Sequence, residues 1–294
     1  MSANAVSEVK MTKRIISGII FGGIAIAALA FGIIPCFALV MVISGIASFE
    51  FYRALSNGGK KPMALPFVIM YISIPFAFNS MSDEAFTAIF KATGMFNWYP
   101  VFVFLAFASV MALFVFKNEK FNLEGGATSF LGGIYISALF PLILSIMKME
   151  NGLAKLLIAL IGSVATDTFA YFTGSLFGKG KKKLCPKLSP KKTVIGAIGG
   201  TLGAIISCTV YGLIIMKNNG SLGLKIWDFA IMGLVIALIS QIGDLFASAV
   251  KRECGIKDFG KIIPGHGGML DRIDSIIPSV AVTYFYLAAI SMIK

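Results

Sequence analysis

Stretches of about twenty consecutive apolar residues recur along this whole chain, and they limit the folds that it can adopt. A helix that crosses a bilayer needs roughly 20 such residues, and it satisfies its own backbone hydrogen bonds within the membrane. Only 14% of the 294 residues are charged, against about 25% in a typical soluble domain. The sequence therefore predicts an all-α integral membrane protein with about nine transmembrane helices. The predicted spans are residues 14–32, 34–52, 63–79, 98–116, 127–147, 153–175, 194–216, 227–249 and 276–293.

The distribution of basic residues predicts the orientation of the chain. With a cytoplasmic N-terminus, 20 of the 26 Lys and Arg residues fall in cytoplasmic segments. Because Lys and Arg are enriched in cytoplasmic loops, we predict a cytoplasmic N-terminus and an outer C-terminus. We expect a multi-pass protein of the cell (inner or plasma) membrane, with its active site facing the cytoplasm. The same bias accounts for the net charge of +12 without a nucleic-acid partner.

The two halves of the chain differ in chemistry. Residues 1–150 contain about five predicted spans and few polar residues. Glu50, in SFEFYR at the cytoplasmic end of the second span, has an arginine nearby, which favours a surface ion pair over a role in a site. Residues 151–294 contain about four spans and form the predicted catalytic part, with cytoplasmic loops at 179–193 and 251–275.

The first polar cluster of that part is DTFAYFTGSLFG, near the inner end of the sixth span. Asp167, Tyr171, Gly174 and Gly178 recur at spacings of four and three, so they share one face of a helix. Such a face fits either close helix packing or the approach of a ligand. Because a carboxylate within a membrane helix is costly and usually functional, we include Asp167 in the candidate site.

The second cluster is the loop KGKKKLCPKLSPKKT, with seven lysines and two prolines. Proline excludes a long helix, so we expect an extended cationic loop. Its first lysines are explained as a signal for membrane orientation that also attracts anionic lipid headgroups. Its last residues place hydroxyl and ammonium groups at the start of the seventh span, where a helix N-terminus suits a phosphate. These residues are Ser189, Lys191, Lys192 and Thr193.

The third cluster begins in the eighth span. Ser240, Asp244, Ser248 and Arg252 are spaced by four and form one polar stripe, with Lys251 beside it. This stripe brings a carboxylate and two cations to the same cytoplasmic end as the first two clusters.

The third cluster continues in the loop PGHGGMLDRID. Gly267 and Gly268 allow backbone amides to approach a ligand closely. His266 is the only histidine of the chain, and a contact with phosphate, a proton-transfer role and a structural role are all open for it. Asp271 and Asp274 are three residues apart at the predicted start of the ninth span, so we expect them to share a helix face.

These groups have a common chemistry. Several carboxylates without a cysteine or histidine cluster indicate a site for a hard cation, most naturally Mg²⁺. Lysine, arginine and glycine amides beside them indicate polyphosphate binding. Together they predict transfer at phosphorus, in which cations neutralise charge on the attacking and leaving oxygens.

The stretch SAVKRECGIKDFGKIIPGHGGMLDRID, residues 248–274, resembles the signature of the phosphatidate cytidylyltransferases, also called CDP-diacylglycerol synthases. DTFAYFTGSLFG, LSPKKT and MTKRIISG resemble other blocks of that family. Ile195 stands where the family often has a glutamate, so no role of that carboxylate carries over. The resemblance implies that CTP and phosphatidic acid, drawn from the membrane lipids, give CDP-diacylglycerol and pyrophosphate with Mg²⁺. It leaves open a second, monovalent or divalent, cation and a homodimer.

On this resemblance we assign roles to the candidate residues. Asp244 and Asp271 are expected to hold the metal. Asp274 and Asp167 are expected to be further ligands or to contact the ligands from outside. Arg272 is expected to anchor the phosphatidate headgroup, while Lys251 and Arg252 join the SPKKT lysines in neutralising the triphosphate. The expected substrate-binding residues are Ser189, Lys191, Lys192, Thr193, Ser248, Gly267, Gly268 and Arg272.

Two other functions fit parts of this pattern. A CTP-dependent lipid kinase would use similar groups but would transfer the γ-phosphoryl group and release CDP. A transporter of cations or phosphate compounds would place charged residues through the membrane midplane, whereas here they gather at one end of the spans.

Overall fold

The described part of the chain is almost entirely helical, in accord with the predicted all-α class. The computed structural model describes residues 17–18, 20–79, 99–117, 119–178, 180–218, 222–263, 265 and 267–293. Within these ranges, seven helical segments are long and apolar enough to cross a membrane. The elements are α1 Ile20–Ala30, α2 Ile33–Asn57, α3 Ala64–Asn79, α4 Tyr99–Phe116, α5 Leu123–Gly133, a π-helix Ile134–Leu139, α6 Leu142–Met147, α7 Gly152–Phe177, β1 Lys183–Cys185, β2 Ser189–Thr193, α8 Val194–Lys217, α9 Ile226–Glu253, α10 Leu270–Ile273 and α11 Ile276–Ile293.

The seven long segments coincide with seven of the nine predicted spans, with α5, the π-helix and α6 forming one segment, Leu123–Met147. The other two predicted spans, 14–32 and 63–79, correspond to the shorter apolar helices α1 and α3 in the described residues. Pro75 lies inside α3, where it removes one helical hydrogen bond. The count of nine and the orientation therefore stay predictions.

Two compact units make up the chain. The first consists of Met1–Lys148 and Glu253–Arg272, and the second of Met149–Arg252 and Ile273–Lys294. The segment that follows α9 thus belongs to the first unit, although α9 itself lies in the second up to Arg252.

The first unit packs around the aromatic ring of Phe51 on α2. The rings of Phe67 and Phe259 each lie 6.0 Å from it, centroid to centroid. Helix α5 approaches α2 closely, because a Cβ atom added at Gly132 would lie 2.5 Å from the Phe51 ring. The side chain of Asn122 caps α5 by accepting a backbone N–H from its first turn at 2.8 Å, which fixes where this helix begins.

In the second unit, α8 approaches α7 through glycines. A Cβ atom at Gly196 would lie 2.8 Å from the carbonyl oxygen of Ala170, and one at Gly200 would lie 2.6 Å from that of Thr166. Small residues permit this backbone-to-backbone approach between membrane helices. Gly174, one of the small residues predicted near the inner end of the sixth span, faces the same helix, because a Cβ atom there would lie 3.6 Å from Cα of Gly196.

The cationic loop 179–193 differs from the predicted extended loop, because part of it forms a β-hairpin. Strands β1 and β2 pair antiparallel, with Lys183 opposite Thr193. Pairing satisfies backbone groups in a segment whose prolines exclude a helix. Strand β2 leads directly into α8, and the hydroxyl of Thr193 caps that helix by accepting the N–H of Gly196 at 3.0 Å.

Candidate active site

A pocket of about 270 Å³ opens in the second unit, where α7, the hairpin and α8 meet. It brings together the first two predicted clusters, which supply a carboxylate, a phenol and two ammonium groups. The residues from these clusters that line it include Asp167, Tyr171, Gly174, Lys191, Lys192 and Thr193.

Lys192 links this pocket to the third cluster. Its ammonium group forms an ion pair with the carboxylate of Asp244 on α9, and the two side chains are 27% and 25% exposed. One helical turn before Asp244, Gln241 lines the pocket and donates a hydrogen bond to the hydroxyl of Thr201 at 3.1 Å. Helix α9 therefore brings an amide to the pocket and a carboxylate to one of its lining lysines. Gln241 was not among the predicted site residues, although a polar amide in an apolar helix is a signal that could have found it.

Asp167 and Asp274 are connected through Ser275. The hydroxyl of Ser275 donates to Oδ2 of Asp167 at 3.3 Å, and Oδ1 of Asp274 accepts the N–H of Ser275 at 2.8 Å. A Cβ atom at Gly243 would lie 2.8 Å from the carbonyl oxygen of Asp274, so α9 packs closely on this turn, one residue before Asp244. Three of the four predicted metal ligands thus lie in the second unit, near the same part of α9.

The donor chemistry of these aspartates fits Mg²⁺. Among the described residues, no three acidic, cysteine or histidine side chains are grouped as a ready-made metal site. Mg²⁺ is usually bound by only one or two carboxylates, with water and substrate phosphates completing its shell. In this unit Asp167 lines the pocket, and Asp244 pairs with Lys192, one of the lysines that line it.

Asp271 belongs to the first unit, where it holds a glycine-rich loop together. Its side chain is buried, and Oδ2 accepts the N–H groups of Phe259 at 2.8 Å and of Gly268 at 2.9 Å. An antiparallel bridge joins Ile263 to Gly267 in the same loop. Gly267 has a φ of +90°, which other residues rarely adopt. The backbone of the loop therefore requires a glycine at this position, independently of the predicted role of Gly267 beside phosphate.

The prediction that Asp271 and Asp274 share a face of the ninth span is wrong. Asp271 lies in the one-turn helix α10, Asp274 lies in the turn after it, and α11 begins only at Ile276. The physical reason is the local hydrogen bond between the Asp274 carboxylate and the N–H of Ser275, because short acidic side chains compete with helical backbone bonds in this way.

Other predicted residues lie on the hairpin and at the end of α9. Ser189 is half-buried at the start of β2, and Ser248 and Lys251 are half-buried on α9. Arg252 is exposed, and its Nε donates to the carbonyl oxygen of Leu188 at 3.4 Å. The cationic end of α9 thus contacts the turn of the cationic hairpin.

Two further predicted residues lie within five positions of Asp271 in sequence. Arg272 follows it and is exposed, which leaves its guanidinium accessible for the predicted contact with a headgroup. His266 lies outside the described residues, so all three readings of it stay open.

The interpretation of Glu50 as a surface residue is wrong. Its side chain is fully buried, and Oε2 accepts the N–H of Leu270 at 2.9 Å. Arg53 donates from Nη2 to the carbonyl oxygen of Phe259 at 3.2 Å, so it too contacts the glycine-rich loop. The sequence around Glu50 carries no signal of this contact, since Leu270 is 220 positions away.

The start of the loop is anchored by Lys60, whose ammonium group pairs with Glu124 and, at 2.8 Å, with Glu253. Hydrogen bonds to Glu124 and then Glu253 hold the pKa of Lys60 above its ordinary value, so the ammonium stays charged at neutral pH. Cys254 follows, and burial raises the pKa of its thiol above the ordinary value. A protonated, buried thiol is unreactive, which supports a structural role for this cysteine.

Comparison with known proteins identifies the family. Residues 12–290 match the model of the cytidylyltransferase family. The chain belongs to this family. The phosphatidate cytidylyltransferase of Bacillus subtilis (strain 168) is 31% identical over 285 residues, which cover 96% of this chain and all of the relative. That of Thermotoga maritima is 34% identical over 185 residues, covering 63% of this chain and 67% of the relative. That of Mycobacterium bovis is 29% identical over 288 residues, covering 94% and 88%.

The family resemblance predicted from sequence is therefore confirmed, and this member of the cytidylyltransferase family is an enzyme of the nucleotidyltransferase class. Its signature stretch 248–274 starts in the second unit, on α9. It then forms the glycine-rich loop of the first unit and re-enters the second at Ile273. Each unit of this cytidylyltransferase-family enzyme thus carries part of the signature.

Proposed function

We propose that this enzyme transfers the cytidylyl group of CTP to phosphatidic acid, giving CDP-diacylglycerol and pyrophosphate, at the cytoplasmic face of the cell membrane. The observation that carries the proposal is the pocket of the second unit, which Asp167, Lys191 and Lys192 line and where Lys192 pairs with Asp244. Cations beside carboxylates are the groups that a metal-bound polyphosphate needs. The names of the relatives supply the identity of the nucleotide and of the lipid.

The walls of the pocket suit the phosphate chain of a nucleotide. Lys191 and Lys192 supply two ammonium groups, and Thr193 places the N-terminus of α8 at the same wall. A helix N-terminus adds unpaired N–H groups and a favourable dipole for an anion. We assign the triphosphate to this wall, with Lys251 and Arg252 at the end of α9 as further cations.

A lipid substrate has apolar surface available beside the pocket. Tyr171 lines the pocket and is itself 71% exposed, and Phe172, Leu176 and Phe177 of α7 are exposed too. On a membrane helix such side chains face the hydrocarbon of the bilayer. Phosphatidic acid can therefore present its phosphate to the pocket while its acyl chains stay against α7.

The proposed reaction requires no protein nucleophile. An oxygen of the phosphatidate phosphate attacks the α-phosphorus of CTP, a new P–O bond forms, and the bond from that phosphorus to the leaving pyrophosphate breaks. The protein's contribution is to orient the two phosphates and to neutralise their charge, as in other phosphoryl transfers. Lys191 and Lys192 fit this role, since their ammonium groups bind anions without reacting.

We propose that Asp244, with Asp167 and Asp274 near it, holds Mg²⁺ in the second unit. A bound Mg²⁺ would supply charge neutralisation on the phosphate oxygens. Asp271 stays a predicted ligand on the strength of the family resemblance. A second cation is a further expectation. The described residues contain no cluster of three acidic, cysteine or histidine side chains that would indicate its position.

The test is to incubate purified protein with phosphatidic acid, Mg²⁺ and CTP labelled at either the α- or the γ-phosphorus. Cytidylyl transfer places the α-label in lipid and the γ-label in pyrophosphate. A CTP-dependent lipid kinase would place the γ-label in lipid and release CDP. If neither label reaches lipid or pyrophosphate while reconstituted protein moves ions or phosphate compounds across vesicles, the enzyme proposal gives way to a transporter.

A further inference from the structure

Glu50 lies fully buried under the glycine-rich segment, which we define as residues 258–263 and 267–271 of the first unit. Its Oε2 accepts the N–H of Leu270 at 2.9 Å. A Cβ atom added at Gly260 would lie 2.0 Å from Oε1, and one added at Gly268 would lie 2.5 Å from Oε2. The carboxyl group of Glu50 therefore fills the space that these two glycines leave open.

The same segment is held by a second carboxylate. Oδ2 of Asp271 accepts the N–H groups of Phe259 and Gly268, while Arg53, one turn after Glu50 on α2, donates to the carbonyl oxygen of Phe259. Glu50 and Asp271 thus bind backbone groups only two positions apart in one loop, those of Leu270 and Gly268. The position of Asp271 depends on the conformation of that backbone. Glu50 is the side chain of α2 that holds the backbone at Leu270, the residue before Asp271.

Packing alone does not account for a glutamate at this position. Oε1 has no hydrogen-bond partner among the described residues, and burying an unpaired carboxylate oxygen is unfavourable. An apolar side chain would fill the same volume without that cost. What an apolar residue cannot do is accept the N–H of Leu270.

We propose that Glu50 is a positioning residue for the cytidylyl transfer, an inference that rests on the function proposed above. It holds the backbone of residues 268–271 so that Asp271 and the glycine amides keep the orientation that turnover requires. The described hydrogen bond of Glu50 is to this backbone, so its loss displaces groups without removing any that is assigned to substrate binding. A displacement of about 1 Å near the reacting groups is enough to lower the rate roughly 100-fold.

The experiment compares Glu50→Ala, Glu50→Gln and the matched control Ser48→Ala. Ser48 lies on the same helix, is buried, and also has a hydroxyl without a partner among the described residues, but it does not contact the segment in any described hydrogen bond. Hydrogen–deuterium exchange of peptides covering 258–271 is measured in detergent without substrate. Steady-state kinetics with CTP and phosphatidic acid are measured on the same preparations.

We expect Glu50→Ala to accelerate amide exchange in the 258–271 peptides and to lower kcat by about 100-fold, with KM for phosphatidic acid changed less than about twofold. Glu50→Gln keeps an oxygen that can accept the N–H of Leu270, so it should retain slow exchange and recover kcat to within about tenfold of the wild type. Ser48→Ala should match the wild type in both measurements. A residue that only stabilised the fold would not give this split between kcat and KM.

Gly260→Ala tests the same inference if the Glu50→Ala protein does not accumulate. It leaves Glu50 in place but pushes against Oε1, so it should reproduce the faster exchange and the loss of kcat. Wild-type exchange in Glu50→Ala and Gly260→Ala, or faster exchange with unchanged kcat, would overturn the inference. If the wild-type protein itself forms no CDP-lipid, the proposed function fails, while the exchange data still decide whether Glu50 holds the segment.

Discussion

The ammonium group of Lys192 and the carboxylate of Asp244 form an ion pair that joins strand β2 to helix α9 at the edge of the pocket. Each of these groups is proposed to bind a part of the substrate complex, Lys192 the triphosphate and Asp244 the metal. The ion pair therefore joins the proposed ligand of the triphosphate to the proposed ligand of the metal. Binding of a metal–triphosphate complex is expected to separate the pair while leaving each charge compensated.

Lys192→Met is expected to lower kcat/KM for CTP by about 10- to 100-fold, because one charge-assisted hydrogen bond contributes about 1.5–3 kcal/mol. Lys192→Arg should lose less, since a guanidinium also binds phosphate. The control is Lys187→Met, which removes an exposed lysine from the turn of the same hairpin. Equal losses in Lys187→Met and Lys192→Met would point to the overall charge of the loop rather than to a contact at the pocket.

Asp271→Asn is expected to abolish turnover, with kcat lowered by at least about 1000-fold, while expression and melting temperature stay close to wild type. The amide oxygen of asparagine can still accept the N–H groups of Phe259 and Gly268, so the loop keeps its form as the negative charge is lost. Steady-state kinetics and thermal melting in detergent measure the two effects.

Asp228→Asn provides the matched control for Asp271→Asn. Asp228 also accepts a backbone N–H, that of Lys225 at 2.6 Å, but it lies in the first turn of α9, away from the predicted site at the other end of that helix. Wild-type activity in Asp271→Asn would remove Asp271 from the metal site.

The sequence predicted those parts of the site that depend on local periodicity. Asp167, Tyr171 and Gly174 recur at helical spacing, and the proline-containing SPKKT had to precede the next helix. The structure places residues of both stretches in one pocket. The seven long spans were predictable for a similar reason, since each is apolar over the length that a bilayer requires.

Contacts between distant residues were not predictable in this way. A helical repeat tells which face a residue occupies but not which partner it meets, so neither the Lys192–Asp244 pair nor the contact of Glu50 with Leu270 was expected. The error at Asp271 and Asp274 had another cause. Spacing alone placed both residues on one helix face at the start of the ninth span, whereas the Asp274 carboxylate binds the N–H of Ser275 and α11 begins only at Ile276.

Thr193→Ala is expected to destabilise the second unit by about 1 kcal/mol, because the hydroxyl caps α8 and loss of an N-cap costs roughly that amount. Thr193→Ser retains the hydroxyl and should be close to wild type. Denaturant unfolding in mixed micelles measures the difference. A Thr193→Ala protein as stable as Thr193→Ser would show that the cap contributes no net stability.

Gly200→Ala is expected to destabilise the protein by about 1–3 kcal/mol through overpacking, because its Cβ would lie 2.6 Å from the carbonyl oxygen of Thr166. The control is Gly22→Ala on α1, where nothing lies within 4 Å of the added Cβ and the helix propensity of alanine is favourable. Thermal unfolding in detergent should lower the midpoint for Gly200→Ala alone. Similar midpoints in the two variants would contradict the close α7–α8 contact.

Labelling of Cys185 tests the predicted orientation. Cys185 lies in the hairpin, is partly exposed and is the one cysteine that is not buried. The hairpin is assigned to the cytoplasm because cationic loops stay inside. A membrane-impermeant maleimide should therefore label the wild type in inverted membrane vesicles but not in right-side-out vesicles, and Cys185→Ser should remove the signal.

The opposite accessibility is expected for a cysteine on the predicted outer side. Lys225 is exposed just before α9, so a Lys225→Cys, Cys185→Ser protein should be labelled only in right-side-out vesicles. Cys36, Cys208 and Cys254 are buried, which keeps their background labelling slow. Labelling of Cys185 from outside would invert the orientation and would place the pocket on the side away from cytoplasmic CTP, so this measurement also bears on the proposed reaction.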